Sequence, residues 1–228
     1  MIRGLIFDFD GLILDTEGPE YQSWCEIFHQ HGQELPATLW VECIGRAQGW
    51  FDPLAHLEGL LGRALDYQNL REQQRRRMLD LVDAQPLLSG VESYVRDAQR
   101  LGLRLAIASS GSPDWVNGHL KRLRLGDAWH CVHCPDGVVR AKPEPDLYLA
   151  ALKALDISAA QAIAFEDSPN GIRAAKRAGL RCVAVPHALT DGLDLSEADV
   201  RLSSLSEMPL EKLLSSLAPT ETTPEGSS

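Results

Sequence analysis

The chain predicts an α/β fold, a doubly wound parallel sheet with a small helical domain inserted after its first strand. Three observations carry this. Gly4-Leu5-Ile6-Phe7 is a short apolar run bounded by glycine, the pattern of a strand buried on both faces. From about residue 88 onward, helical and extended patterns alternate, as they must when parallel strands are joined by crossover helices. Between these two parts, residues 15–84 read as helical. A length of 228 residues is long for one minimal domain and short for two full ones, so one core domain plus an insertion fits. The expected core is 1–14 with 86–217, and the expected insertion is 15–85. Residues 218–228, rich in Pro, Thr, Ser and Glu, are expected to be a disordered tail.

In the insertion, Tyr21, Trp24, Cys25 and Phe28 share one helical face by their spacing of three and four. Further helices are expected over 37–44, 51–61 and 67–81, and Asp83-Ala84-Gln85-Pro86 breaks the pattern before the chain returns to the core. The core then reads as helix 92–101, strand 103–108, helix 113–123, strand 130–134, helix 145–155, strand 162–165, helix 170–178 and strand 181–185. Gly102 and Gly179 fit C-terminal caps of two of these helices. A last strand is expected over 200–205 and a short helix over 211–217.

Acidic residues outnumber basic ones 32 to 22, a formal charge of -10. That balance argues against nucleic acid or an anionic membrane as the main partner. No apolar stretch is long enough to span a bilayer and the first residues lack a signal-peptide pattern, so a cytoplasmic protein is expected. Five cysteines, at 25, 43, 131, 134 and 182, fit reduced thiols better than a disulfide framework. His130-Cys131-Val132-His133-Cys134 reads as a strand rather than a zinc site, because alternate residues point to opposite faces and cannot converge on one ion. Arg71, Arg75, Arg76 and Arg77 read as a solvated, salt-bridged helix face with Glu72 and Asp80. Trp40 and Trp50 read as packing residues.

The chemistry concentrates at the ends of the expected strands. Asp8 and Asp10 flank Phe9 at the carboxyl end of the first strand, where open α/β sheets place ligands. Two neighbouring buried carboxylates ask for a cation or donors. Ser109-Ser110-Gly111-Ser112 follows the second strand and opens a helix, a backbone arrangement that closes on an anion. Lys142 stands in the Pro-stiffened stretch Ala141-Lys142-Pro143-Glu144-Pro145-Asp146. Glu166-Asp167-Ser168-Pro169-Asn170-Gly171 follows the strand over 162–165.

These four stretches, in this order, resemble the four motifs of the haloacid-dehalogenase-like hydrolases, in particular the capped phosphatases and the β-phosphoglucomutase-like subgroup. The likeness covers roughly residues 3–205. It implies a Rossmann-like core and an inserted helical cap. It also implies Asp8 as nucleophile, Asp10 as general acid and base, and Ser109, Ser110 and Lys142 as phosphate-binding groups. Mg2+ would be held by Asp8, the Asp10 backbone carbonyl and Asp167, with Glu166 behind them.

The resemblance also narrows the substrate. Residues 15–85 contain no lysine, which excludes a cap Schiff base, and the second Asp excludes a dehalogenase. In the mutase subgroup a histidine occupies the place of Glu20, and more cations surround the cap glycine than Arg46 alone. The expectation is therefore hydrolysis of a small phosphorylated metabolite (sugar phosphate, phosphoglycolate or nucleotide), with Glu20 and Arg46 as candidate substrate contacts. A phosphosugar mutase is the main alternative, and a catalytically silent phosphate-binding protein a weaker one. A monomer or weak homo-oligomer is expected.

Overall fold

A computed structural model describes residues 1–42, 44, 51–135 and 140–217. Among them, six parallel strands form one sheet: β1 (Gly4–Phe7), β2 (Arg104–Ala108), β3 (Cys131–His133), β4 (Ala162–Glu166), β5 (Arg181–Ala184) and β6 (Val200–Arg201). Their order is β3-β2-β1-β4-β5-β6. The chain builds from β1 out to β3, then crosses back to place β4 on the other side of β1. The order reverses at β1, so the crevice that such a reversal opens lies at the carboxyl end of β1. The doubly wound α/β fold read from the sequence is the fold observed.

In chain order, four helices follow β1 among the described residues before the chain returns to the sheet: α1 (Glu17–Gln30), α2 (Ala37–Val41), α3 (Pro53–Leu61) and α4 (Tyr67–Asp83). The others are α5 (Val91–Arg100), α6 (Pro113–Arg122), α7 (Asp146–Leu155), α8 (Pro169–Arg177) and α9 (Leu210–Ser216). The period of two along the strands divides the core. Leu5, Phe7, Leu105, Ile107, Ile163, Phe165 and Val183 face α5, α6 and α9, including Tyr94, Val116 and Leu213. Ile6, Ala106, Ala108, Ala162, Ala164 and Ala184 face α7 and α8. The second face is largely alanine, so these two helices pack close to the sheet and bring their N-termini near the strand ends.

α1 to α4 enclose a third cluster, with Trp24, Phe28, Trp40, Leu54, Leu57 and Leu70 buried and Tyr21 and Cys25 at its margin. Gln74 Nε2 donates to Ser23 Oγ at 2.9 Å, a buried polar link between α4 and α1. Trp40 packs as read, while Trp50 and Cys43 fall outside the described residues. The arginine-rich face of α4 is ion-paired, Arg71 with Asp52, Arg76 with Glu72, and Arg77 with Glu26 through two hydrogen bonds.

Several boundaries differ from the sequence reading by a few residues, and two of the differences have a plain cause. α1 begins at Glu17 because the residues after β1 first fold back, Ile13 N–H to Phe9 O at 2.9 Å and Gly11 N–H to Leu14 O at 2.8 Å. Leu14 then pairs antiparallel with Leu87, so the outgoing and returning segments lie side by side. β6 stops at Arg201 because the Ser203 N–H turns to Glu207 Oε2 at 2.6 Å. Gly102 and Gly179 both have positive φ, as their capping positions require.

The alanine face gives a stability test. Ala164→Leu overfills a fully buried position under α7 and α8 and should lower unfolding free energy by about 2 kcal/mol in urea titration.

Candidate active site

Register places the site. Phe7 pairs with Ile107 on one side and Phe165 on the other, so the residue just past β1 stands level with the ends of β2 and β4. Asp8 occupies that position, its N–H bonded to Phe165 O at 3.0 Å. The residue is 7% exposed. Lys142 Nζ lies 2.7 Å from Asp8 Oδ1 and 2.6 Å from Glu166 Oε1, and its side chain is only 5% exposed. Tyr148, on α7, donates its hydroxyl to the same Glu166 oxygen. Glu166 is fully buried and lies against Gly171 of α8, where an added Cβ would come within 1.8 Å of Glu166 Oε2. Glycine there is a steric requirement of the carboxylate.

Burial pushes the Asp8 carboxyl well up, and the negative charge of Glu166 adds to this, while Lys142 opposes it. Glu166 is likewise raised by burial and restrained by Lys142. For the lysine, burial works against the charged form, yet Asp8 and Glu166 outweigh it and raise its pKa. Oxygens of Asp8, Glu166 and Asp167 lie within 4.8 Å of one another. One ammonium among three carboxylates leaves negative charge uncompensated, and Glu166 Oε2 is buried without a hydrogen-bond partner among the described residues. Carboxylate oxygens at this spacing fit a hard divalent cation such as Mg2+.

Asp10 points elsewhere. Its Oδ1 accepts from Trp115 Nε1 at 2.8 Å and its Oδ2 from Ser109 Oγ at 3.3 Å, and Thr16 is a further donor. Burial raises this carboxyl, and those three donors pull it back. Ser109 is fully buried and its Oγ also accepts the Gly111 N–H at 3.0 Å. Ser110 is exposed, with its Oγ 3.4 Å from the Lys142 N–H that donates to it.

Asp167 is 3% exposed, and His187 Nε2 lies 3.2 Å from its Oδ2 without hydrogen-bond alignment. Leu189 N–H donates to His187 Nδ1 at 3.3 Å, which orients the ring with Nε2 toward the carboxylate. Gly11, with φ of 75°, packs its backbone so close to Asp167 that a Cβ would stand 2.4 Å from Oδ2.

At the start of α1, Glu17 and Glu20 feel the negative charge of this centre. Burial, followed by Glu20 and Asp167, pushes Glu17 up to about 8, and burial and Asp10 raise Glu20. Arg46 lies outside the described residues. Of the sequence candidates, Asp8, Lys142, Glu166 and Asp167 form one contact group and Asp10 with Ser109 a second beside it. Tyr148, Trp115, His187 and Glu17 were not anticipated. Tyr148 and Trp115 sit on helices where they look like packing residues, and no motif marks His187.

Lys142→Met tests the electrostatics. It leaves Asp8 and Glu166 buried without their cation, raising both folded-state pKa values further above those of the unfolded chain. Such groups stabilise fully below the unfolded carboxylate pKa and lose that stability as pH rises toward the folded value. Relative to the parent, the variant should be about 3 kcal/mol less stable at pH 8 in metal-free buffer and close to parity near pH 4, by chemical denaturation.

The family model for haloacid dehalogenase-like hydrolase matches residues 2–179. The chain is 46% identical to the Bacillus subtilis (strain 168) protein YhcW over 217 residues, 95% of this chain and 98% of that protein. It is 30% identical to validoxylamine A 7'-phosphate phosphatase of Streptomyces hygroscopicus subsp. limoneus, covering 91% of this chain and 96% of that one. Among solved structures, CbbY from Rhodobacter sphaeroides in complex with phosphate superposes with a TM-score of 0.69 at 29% identity, covering 91% and 96% of the two chains. With its parallel sheet, the acidic centre at the strand ends and these matches, the chain belongs to the haloacid dehalogenase-like hydrolases.

Proposed function

We propose that the protein is a Mg2+-dependent phosphatase that hydrolyses a small phosphate monoester through an aspartyl-phosphate intermediate. The observation that carries this reading is the separation of two aspartates two residues apart: Asp8 is buried and paired with Lys142, and Asp10 is held apart by neutral donors. Asp8 is the nucleophile, and Lys142 favours its ionised form beside an anionic substrate. Asp10 gives a proton to the leaving oxygen, then takes one from the water that hydrolyses the acyl phosphate. Ser109, Ser110 and the backbone at the start of α6 bind the phosphoryl oxygens. Asp8, the Asp10 carbonyl and Asp167 would hold Mg2+, with Glu166 behind, and the ion would supply charge neutralisation at the phosphoryl group. Known phosphate chemistry in the relatives, a phosphate ester phosphatase and a phosphate-bound CbbY, supports this assignment.

Residues 15–85 act as a cap that admits substrate and excludes water. The first turn of α1 carries Glu17 and Glu20, which feel the charges of Asp167 and Asp10, so hydroxyls of a sugar-like or polyol leaving group suit it better than a second phosphate. This favours hydrolase over mutase. The partner is a small phosphorylated metabolite; nucleic acid and membranes are disfavoured by the charge of -10, and among the described residues no helix is long and apolar enough to cross a membrane. Cys25, Cys131, Cys134 and Cys182 are free, which suits a reducing, cytoplasmic setting.

Two measurements test the reading. Phosphate release from p-nitrophenyl phosphate should require Mg2+ and fall by more than about 1,000-fold in Asp8→Asn, and activity undiminished in that variant would defeat it. In a thermal-shift titration, Mg2+ should raise the melting temperature more at pH 8 than at pH 5, because the raised carboxyls of Asp8 and Glu166 bind protons in competition with the ion at the lower pH.

A further inference from the structure

Asp10 takes hydrogen bonds from Trp115, Thr16 and Ser109, and the donors placed on its two oxygens by Trp115 and Ser109 are unequal. Ser109 Oγ, near Oδ2, is one of the groups placed to bind phosphoryl oxygens, so substrate competes for it. Trp115 Nε1, 2.8 Å from Oδ1, has one hydrogen to give and no ability to accept. The indole is firmly mounted. Trp115 lies in the first turn of α6, where its backbone N–H bonds to the Ser112 cap at 3.3 Å. Its ring meets His119 edge-on, with centroids 4.3 Å apart and planes at 78°. At the far end of α6, Arg122 donates to the carbonyls of Val82, Asp83 and Gln85, so the helix is tied to the segment returning from α4.

We propose that Trp115 is a positioning residue for the acid step: its indole N–H holds Asp10 Oδ1, fixes the carboxyl rotamer, and leaves Oδ2 as the oxygen that carries the proton to the leaving group. This rests on the reading of Asp10 as general acid. When substrate enters, Ser109 turns to the phosphoryl oxygens and frees Oδ2, while Trp115 keeps its grip on Oδ1. An Asp8 oxygen then bonds to phosphorus as the bond from phosphorus to the leaving oxygen breaks. The electron pair of that bond goes to the leaving oxygen, which takes the proton from Oδ2, and Asp10 is left as a carboxylate still bonded to Trp115.

A misplaced acid matters in proportion to how much the leaving group needs a proton. The value of kcat/KM reports only the steps through formation of the acyl phosphate, so it isolates this role from the later hydrolysis. Phenyl phosphate and p-nitrophenyl phosphate differ little in shape, but phenolate leaves poorly without a proton and p-nitrophenolate leaves readily. Trp115→Phe keeps the ring against His119 and removes the N–H. It should lower kcat/KM for phenyl phosphate about tenfold more than for p-nitrophenyl phosphate. Placing 3-benzothienylalanine at position 115, which exchanges the N–H for sulfur in a ring of the same shape, should give the same gap with an unchanged melting temperature.

Asp10→Asn is the reference and should show a larger gap of the same sign. If Asp10→Asn shows the gap and both replacements of Trp115 lower the two substrates equally, or leave them unchanged, the positioning role is wrong and the proposed function stands. A missing gap in Asp10→Asn overturns the acid role of Asp10 and the role of Trp115 with it.

Discussion

The ion triad of Asp8, Lys142 and Glu166 is the interaction on which the rest of the site depends. Three charged groups in the interior would be prohibitive singly, and each is tolerated here because of the other two. Lys142 reaches both carboxylates within hydrogen-bond distance, Tyr148 satisfies a further lone pair on Glu166, and Gly171 leaves room for the carboxylate by having no Cβ. The triad still carries net negative charge once Asp167 is counted. It therefore stores an unmet demand for positive charge at the spot where a metal and a phosphoryl group would meet.

The sheet makes this arrangement possible. Parallel strands in register end together, so Asp8 and Glu166 come to the same level and Ser109 stands one residue beyond it, without any loop having to reach. The alanine-rich face beneath α7 and α8 brings the helix that carries Tyr148 and the helix that carries Gly171 close to the end of β4. Packing on one side of the sheet thus sets the polar geometry at its edge. On the other side, α6 carries Trp115 to Asp10 and stays fastened to the chain returning from α4.

Much of this was legible in the sequence, for a physical reason. Strands buried on both faces are largely apolar, so β1, β2 and β4 stand out, and charged or hydroxyl residues at their carboxyl ends are conspicuous. Asp8, Ser109 and Glu166 could be found in that way. Tyr148 and Trp115 could not, because an aromatic residue on an amphipathic helix looks the same whether its polar end meets a carboxylate or water. Nor could His187, whose orientation depends on a turn in which Thr190 Oγ1 accepts the His187 N–H and Leu189 N–H donates to the ring. The fold-back after β1 was also hidden, since Leu12-Ile13-Leu14 is apolar whether it extends a strand or buries a turn. Arg46, read as a substrate contact, lies outside the described residues.

Passage of the phosphoryl group through Asp8 is recorded in the stereochemistry at phosphorus. With a substrate whose phosphoryl group is made chiral by oxygen isotopes and sulfur, hydrolysis in isotopically labelled water gives a product of defined configuration. Two in-line displacements, first by Asp8 and then by water, each invert the centre, and the account predicts net retention. Net inversion would mean that water attacks the ester directly, and would contradict it.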